Sequence, residues 1–338
     1  MNHRSLMRAL GALGAAIAVR AAVRAARSYS FHGKIALVTG GSRGLGLLIA
    51  RELARQGAQV AICGRDDEAL QRATAQARAD GQELSPFTCD LTRRDRVEQM
   101  VETLIGRSGR IDVLVNNAGI IQVGPVQEMT LADYEQAMAV HLWGPLYAIN
   151  AVLPQMLARR QGRIVNVSSI GGKISVPHLL PYCASKFALV GLSEGLHAEL
   201  AKDGVLVTTV CPGLMRTGSP RHALFKGRHR LEYAWFALSD SLPLVSIDAR
   251  RAARRIVAAC RRGDAEVMVS GAARAASAVH GLFPGATSRA LALADRLLPG
   301  PGGVGGQAVA GRDSRPRWLP SLLTRLTDRA AEENNEIS

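Results

Sequence analysis

The chain has 338 residues, of which 47% are hydrophobic and 21% charged, and it carries a formal net charge of +14. That length and apolar content support one large folded core and exclude a disordered chain or a small disulfide-stapled domain. The charge does not point to RNA or DNA as a partner: residues 35–215 are balanced, the excess sits in the N-terminal arm and in residues 216–262, aromatic residues are only 4%, and no nucleic-acid-binding motif is present.

The arm, residues 1–32, places Arg4, Arg8, Arg20, Arg24 and Arg27 around an uncharged run from Ala9 to Val19. As a helix that run reaches about 16 Å against a hydrocarbon core of about 30 Å, so a conventional membrane span is not expected. Arginines just past the apolar run argue against a cleaved signal. Two readings stay open: an interfacial helix whose arginines reach the membrane surface, or a segment that is disordered or packed on the protein.

The run from Lys34 to Thr39 reads as a strand, 35–39, and it ends in Gly40-Gly41-Ser42-Arg43-Gly44-Leu45-Gly46. Leu45, Leu48, Ile49 and Leu53 then follow at helical spacing. A glycine turn of this kind brings backbone amides up to a pyrophosphate at a helix N-terminus, where the dipole favours negative charge. The spacing Gly-x-x-x-Gly-x-Gly departs from the Gly-x-Gly-x-x-Gly fingerprint, so the turn alone leaves open a β-to-α connection without a ligand. The second strand, 59–63, ends in Gly64-Arg65, where an NAD site would place a carboxylate for the ribose hydroxyls. Arg65 and Arg43 suit a 2′-phosphate instead and favour NADP(H) over NAD(H), the alternative being two solvated arginines.

Further strands are expected at 84–89, 111–116, 163–168, 205–211 and 266–269, alternating with helical patterns. The fold class is therefore α/β: a doubly wound, mostly parallel, Rossmann-like sheet forming one domain over 33–271, with N- and C-terminal extensions. In Tyr182-Cys183-Ala184-Ser185-Lys186 the phenol and the ammonium lie one helical turn apart on one face. A fixed cation beside a phenol favours the phenolate and makes the group a usable proton donor or acceptor. Taken alone, the same spacing occurs on many solvated helices.

Residues 214–245 should cover the reacting centre with Met215, Leu224, Phe225, Tyr233, Trp235, Phe236, Leu238 and Leu242. So apolar a lid suits a bulky hydrophobic carbonyl or alcohol, lipid-, steroid- or retinoid-like, or it simply packs on the core or on a second subunit. Helix 248–262 sets Arg250, Arg251, Arg254, Arg255, Arg261 and Arg262 opposite Ala253, Ile256, Val257 and Cys260. The extension 272–338 is expected to be partly helical, with a flexible linker at Pro299–Gly303 and a disordered end at Glu332–Glu336. Cys63, Cys89, Cys183, Cys211 and Cys260 form no Cys-x-x-Cys pair, which reads as reduced structural thiols in a cytoplasmic protein with no metal site.

Together these segments resemble the short-chain dehydrogenase/reductase family: Thr39 to Gly46, Asn116-Asn117-Ala118-Gly119, Ser169, Tyr182 with Lys186, and Pro212-Gly213 before Thr217, in order over residues 33–270. The resemblance implies cofactor contacts from Gly40, Ser42, Arg43, Gly44, Leu45 and Gly46 at the turn, from Arg65, and from Asp90 and Leu91 beside the adenine. It also implies Asn117, Ala118 and Gly119 along the dinucleotide, with Pro212, Gly213 and Thr217 at the nicotinamide end. The implied chemistry is reversible hydride transfer between NADP and a carbonyl or alcohol. Tyr182 would exchange the proton, Ser169 would fix the reacting oxygen, and Lys186 would bind the nicotinamide ribose and lower the tyrosine pKa. Helices 130–159 and 181–202 correspond to those through which the family forms homodimers and homotetramers. In Val140-His141-Leu142-Trp143-Gly144, His141 stands where the family carries an asparagine that holds a relay water. It either organises water itself or is a buried ring satisfied by backbone. A catalytically silent, NADP-responsive, membrane-associated binding protein is the rival reading, which the intact Ser169, Tyr182 and Lys186 argue against.

Overall fold

The computed structural model describes residues 29–241, 246–316, 318–319 and 321–336, together with Gly14. Almost all of the N-terminal arm, and Leu242 of the lid, lie outside the described residues. Seven parallel strands form the main sheet: β1 (Ile35–Thr39), β2 (Gln59–Gly64), β3 (Leu84–Thr88), β4 (Val113–Asn116), β5 (Gly162–Val167), β6 (Val205–Cys211) and β7 (Glu266–Met268). Their order is β7-β6-β5-β4-β1-β2-β3, so the direction of winding reverses between β1 and β4. A crevice opens beyond the carboxyl ends of the strands at such a reversal, which positions the site.

The crossovers are helical: α1 (Gly44–Arg55), α2 (Asp67–Ala79), α3 (Arg94–Ser108), α4 (Leu131–Met138), α5 (Gly144–Ala158), α6 (Leu180–Leu200), α7 (His229–Ser241) and α8 (Ala249–Arg262); α9 (Gly271–Leu282), α10 (Pro284–Asp295) and α11 (Ser321–Glu333) follow the last strand. Strand side chains divide with period two between the faces. Ala36, Val38, Val113 and Val115 pack with Leu47, Ile49, Ile256 and Val257 on one face. Ile35, Leu37 and Leu114 pack with Val97, Met100, Ile149 and Val152 on the other. Burying each Leu or Ile contributes about 1.5–3 kcal/mol, which makes the doubly covered sheet the rigid part of the molecule. On α8, Ala253, Ile256, Val257 and Cys260 face that core and the arginines face outward, as the sequence pattern predicts.

The buried carboxylate of Asp112, in the turn before β4, accepts from the Ile35 N–H at 3.0 Å, from Arg110 at 2.9 Å and from Arg159 at 2.8 Å, tying the start of β1 to that turn. Burial pushes its pKa up, but these donors outweigh it and hold the group below its ordinary value. Deeper in, Asn116 donates to Asn166 (2.9 Å), Asn166 donates to Ser193 (3.0 Å) and Thr209 donates to Ser193 (2.8 Å), so one buried hydrogen-bonded chain ties β4, β5, β6 and α6 together.

Two expectations need correction. Phe225, Tyr233 and Phe236 of the lid turn into a third buried cluster with Val123, Leu179, Cys183 and Leu319 instead of facing the crevice. Nor is the segment Glu332–Glu336 disordered. Val309–Ala310 pairs antiparallel with Leu224–Phe225, α11 packs on α7, and Asn334, Asn335 and Glu336 are buried. The glycine run also folds back, with the Gly302 N–H donating to Glu128 at 2.9 Å.

Candidate active site

A cavity of about 510 Å³ runs along the carboxyl ends of the strands, from Arg65 and Asp66 at one end to Ser169, Tyr182 and Lys186 at the other. Every residue that the sequence assigns to the cofactor or to the reaction lines it, except His141. The glycine turn is sterically obligatory. Gly40 takes φ 64°, and a Cβ on Gly46 would lie 2.1 Å from the Gly40 carbonyl oxygen, a backbone atom that cannot yield. Asn117 closes the turn from the next strand, donating through Nδ2 to the carbonyls of Thr39 (3.2 Å) and Gly40 (3.3 Å). Thr39 Oγ1 accepts from the Asn117 and Ala118 N–H groups in return. No side chain caps the N-terminus of α1. A helix N-terminus without a cap from its own N-cap side chain, beside a turn with no room for side chains and in a long cavity flanked by Arg43 and Arg65, fits a phosphorylated dinucleotide.

At the other end, Ser169 caps a short helical turn, its Oγ accepting from the Gly171 N–H at 3.0 Å. Ser168 Oγ donates to the Lys186 carbonyl at 2.9 Å, which leaves Ser169 as the serine beside the tyrosine. Tyr182 and Lys186 project from the first turns of α6, the lysine Nζ 5.7 Å from the centre of the tyrosine ring and donating to the Val167 carbonyl at 2.9 Å. Burial pushes the Tyr182 hydroxyl well above its ordinary value, with Ser169 pulling it down, and burial lowers Lys186 to about 7. Burial thus works against a phenol primed by a neighbouring ammonium: it raises the tyrosine and brings the lysine down to about 7, so near neutral pH the lysine is only partly charged and Tyr182 stays a protonated phenol.

His141 lies fully buried in a π-helical turn, Ala139–Trp143, between α4 and α5. Its Nε2 accepts from the Ile120 N–H at 3.1 Å and its Nδ1 lies 2.7 Å from Ser185 Oγ. Ser185 Oγ in turn donates to the Tyr182 carbonyl at 2.8 Å. Both ring nitrogens are thus satisfied by protein groups and neither is left for a water. Burial first and the Lys186 charge second push its pKa well down, so the ring is neutral.

Residues 34–224 match the family described as short chain dehydrogenase. The chain belongs to that family. It is an NAD(P)-dependent oxidoreductase. Gluconate 5-dehydrogenase of Gluconobacter oxydans is 35% identical over 189 residues, covering 56% of this chain and 74% of the relative. A short-chain dehydrogenase structure from Streptomyces avermitilis superposes with a TM-score of 0.67 at 31% identity, covering 78% of this chain and 97% of that one. A metagenomic short-chain oxidoreductase in complex with NADP superposes with a TM-score of 0.52 at 38% identity, covering 54% and 84%.

Sequence reasoning missed several residues at the cavity, among them Asp66, Ile120, Ile121, His222 and Glu336. Asp66 is spent as the N-cap of α2, accepting from the Ala69 N–H at 3.0 Å. Glu336 carries no local signal at all, because it arrives from the far end of the chain. Among the described residues no cluster of His, Cys, Asp and Glu could hold a metal, and no helix is long and apolar enough to cross a membrane.

Proposed function

We propose that this short-chain dehydrogenase uses NADP(H) to interconvert a bulky hydrophobic carbonyl compound and its alcohol. The carrying observation is the juxtaposition, at one end of the cavity, of Tyr182 and Ser169 with an apolar wall made by Ile120, Ile121, Val140, Met215 and Ala223. When bound, the nicotinamide supplies the hydride. Ser169 fixes the carbonyl oxygen by donating a hydrogen bond. Tyr182, held protonated by burial, gives that oxygen its proton, and this state matches the direction of reduction. Lys186, carried one turn further along α6, binds the nicotinamide ribose. His141 acts as a positioning residue, holding the Tyr182 turn through Ser185.

Preference for the phosphorylated cofactor is supported by Arg43 and Arg65 at the far end, where Asp66, the nearest acid, is engaged by its own helix. The gluconate enzyme is named for a small polar hydroxy acid, so the hydrophobic reading rests on this chain's own cavity wall. A screen of NADPH oxidation tests it: faster turnover of bulky apolar ketones and aldehydes than of ketogluconates supports it, and the reverse order refutes it.

Assembly as a homodimer or homotetramer is supported by Leu131, Trp143 and Phe187, large side chains exposed on the α4-to-α6 faces. Peripheral contact with a membrane surface from a cytoplasmic location is the second reading. It is favoured by Val279, Leu282, Phe283, Leu293 and Leu297, exposed on or beside α9 and α10, near Arg274, Arg289 and Arg296. Removing residues 1–30 or replacing Leu282 and Phe283 with serine would then lower binding to anionic vesicles.

A further inference from the structure

The last described residues of the chain lie inside the dinucleotide cleft. After α11 the backbone turns through Asn335, at φ 59°, and its groups engage the glycine turn one after another. The Asn334 carbonyl accepts from the Gly44 N–H at 2.9 Å. Asn335 Nδ2 donates to the carbonyls of Ser42 (2.7 Å) and Ala69 (3.0 Å). Glu336 Oε2 accepts from the Gly218 N–H at 2.6 Å, and the Glu336 carbonyl lies 3.1 Å from His222 Nε2. The fit is close on both sides. A Cβ on Gly44 would stand 3.0 Å from Glu336 Oε1, and one on Gly218 would stand 2.6 Å from Glu336 Cβ.

These contacts use the groups that an anionic cofactor needs. The Gly44 amide opens α1 and faces the positive end of its dipole, and Glu336 brings a carboxylate to the same place, within the field of Arg43 and Arg221. A pyrophosphate and the Asn334 carbonyl cannot both take the Gly44 N–H, and the Glu336 side chain fills the space beside it. Glu336 is only 4% exposed, so the segment is docked and not merely passing over the mouth of the cleft. Its anchor is the lid: α11 packs on α7, Ser241 and Thr327 hydroxyls meet, Leu319 joins the cluster of Phe225 and Phe236, and Arg250 pairs with Glu333 at 3.3 Å.

We propose that Asn334–Glu336 is an internal competitor of the dinucleotide: the segment occupies the phosphate side of the cleft and must leave before the cofactor enters. The proposal rests on the nicotinamide-cofactor reading of the same cleft. Because α11 also braces the lid helix, departure of the segment would loosen α7, so that opening of the substrate end accompanies cofactor entry.

The test is the dissociation constant for NADPH, measured by fluorescence or calorimetry without turnover. The full chain is compared with a chain ending at Glu333 and with a full-length Asn335→Ala, Glu336→Ala variant that keeps α11. A competing segment makes both altered chains bind NADPH about tenfold more tightly or better, since apparent affinity is reduced by the fraction of molecules that are competent. A synthetic peptide of residues 321–338 added to the shortened chain then raises its dissociation constant again. Amide exchange gives an independent sign, because NADPH added to the full chain should speed exchange in 321–336, the opposite of ordinary ligand protection. Unchanged or weaker binding in both altered chains, or slower exchange in 321–336 on adding NADPH, overturns the proposal. Failure of all three chains to bind either NADPH or NADH would instead overturn the cofactor reading on which it rests.

Discussion

His141 Nδ1 lies 2.7 Å from Ser185 Oγ, and that hydroxyl donates to the backbone carbonyl of Tyr182. The histidine that replaces the family's asparagine is therefore wired to the turn that carries the tyrosine, not to a water beside the lysine. Its other nitrogen accepts from Ile120 in the segment that follows Gly119. Replacing it with alanine takes the acceptor from the part-buried Ile120 N–H and one of two hydrogen bonds from Ser185 Oγ, a loss of about 1–3 kcal/mol. The expected outcome for His141→Ala is a lower urea midpoint together with a reduced kcat. The folded-state pKa lies below the unfolded value, so the unfolded chain binds the extra proton and stability falls as pH drops below about 6.5. His141→Asn does not titrate and should lose less stability over that acid range than the parent; an equal or greater loss would mean the ring is not held neutral.

Arg43 and Arg65 stand at the end of the cavity opposite Tyr182. A hydrogen bond to a charged group contributes about 1.5–3 kcal/mol, which corresponds to roughly ten- to hundredfold in affinity per arginine. The double variant Arg43→Ala, Arg65→Ala should weaken NADPH by at least that factor while changing NADH by less than about threefold. Titrating both cofactors by fluorescence checks it, and equal weakening would remove the 2′-phosphate argument.

Asp240 on α7 is buried, and burial first and the neighbouring Glu336 second raise its pKa to about 8. A carboxyl whose folded pKa lies above the unfolded 3.8 binds more protons in the native state between those limits, so stability declines as pH rises from about 4 to 8 and levels off above. Asp240→Asn removes that slope. Its stability relative to the parent, read as a rising Tm difference, should grow across this interval, toward an upper limit of roughly 1.4 kcal/mol of unfolding free energy for each pH unit crossed. Parallel Tm curves for the two proteins would show that the carboxyl titrates normally.

Much of the fold was legible because its signals are local. Each of the seven main strands was expected from the sequence, most of them as short β-branched runs, and the glycine turn carries its steric reason in the Gly40 to Gly46 contact. Tyr182 and Lys186 were legible from helical spacing, whereas Ser169, in the strand-to-helix connection before them, came with the family resemblance. What could not be read depends on long-range contacts. The lid aromatics look alike in sequence whether they face a substrate or a core, and only packing against Leu179 and Leu319 decides between them. The end of the chain reads as a polar, acidic tail; its burial follows from a cleft built almost 300 residues earlier, where Asn335 meets Ser42. The electrostatics of the tyrosine were legible only in part, since the spacing of Tyr182 and Lys186 reveals their proximity but not the burial that raises the phenol and lowers the lysine.

The central claim is that Tyr182 delivers the proton to the reacting oxygen, and single-turnover oxidation of bound NADPH by a hydrophobic ketone tests it most directly. General acid catalysis by a positioned side chain contributes about 10²–10⁴-fold. Tyr182→Phe should therefore slow the transfer by about that factor while the NADPH dissociation constant changes by less than about threefold, because the lost hydroxyl belongs to the reaction and the phenyl ring still fills its place. A single-turnover rate in Tyr182→Phe equal to that of the parent would contradict the account.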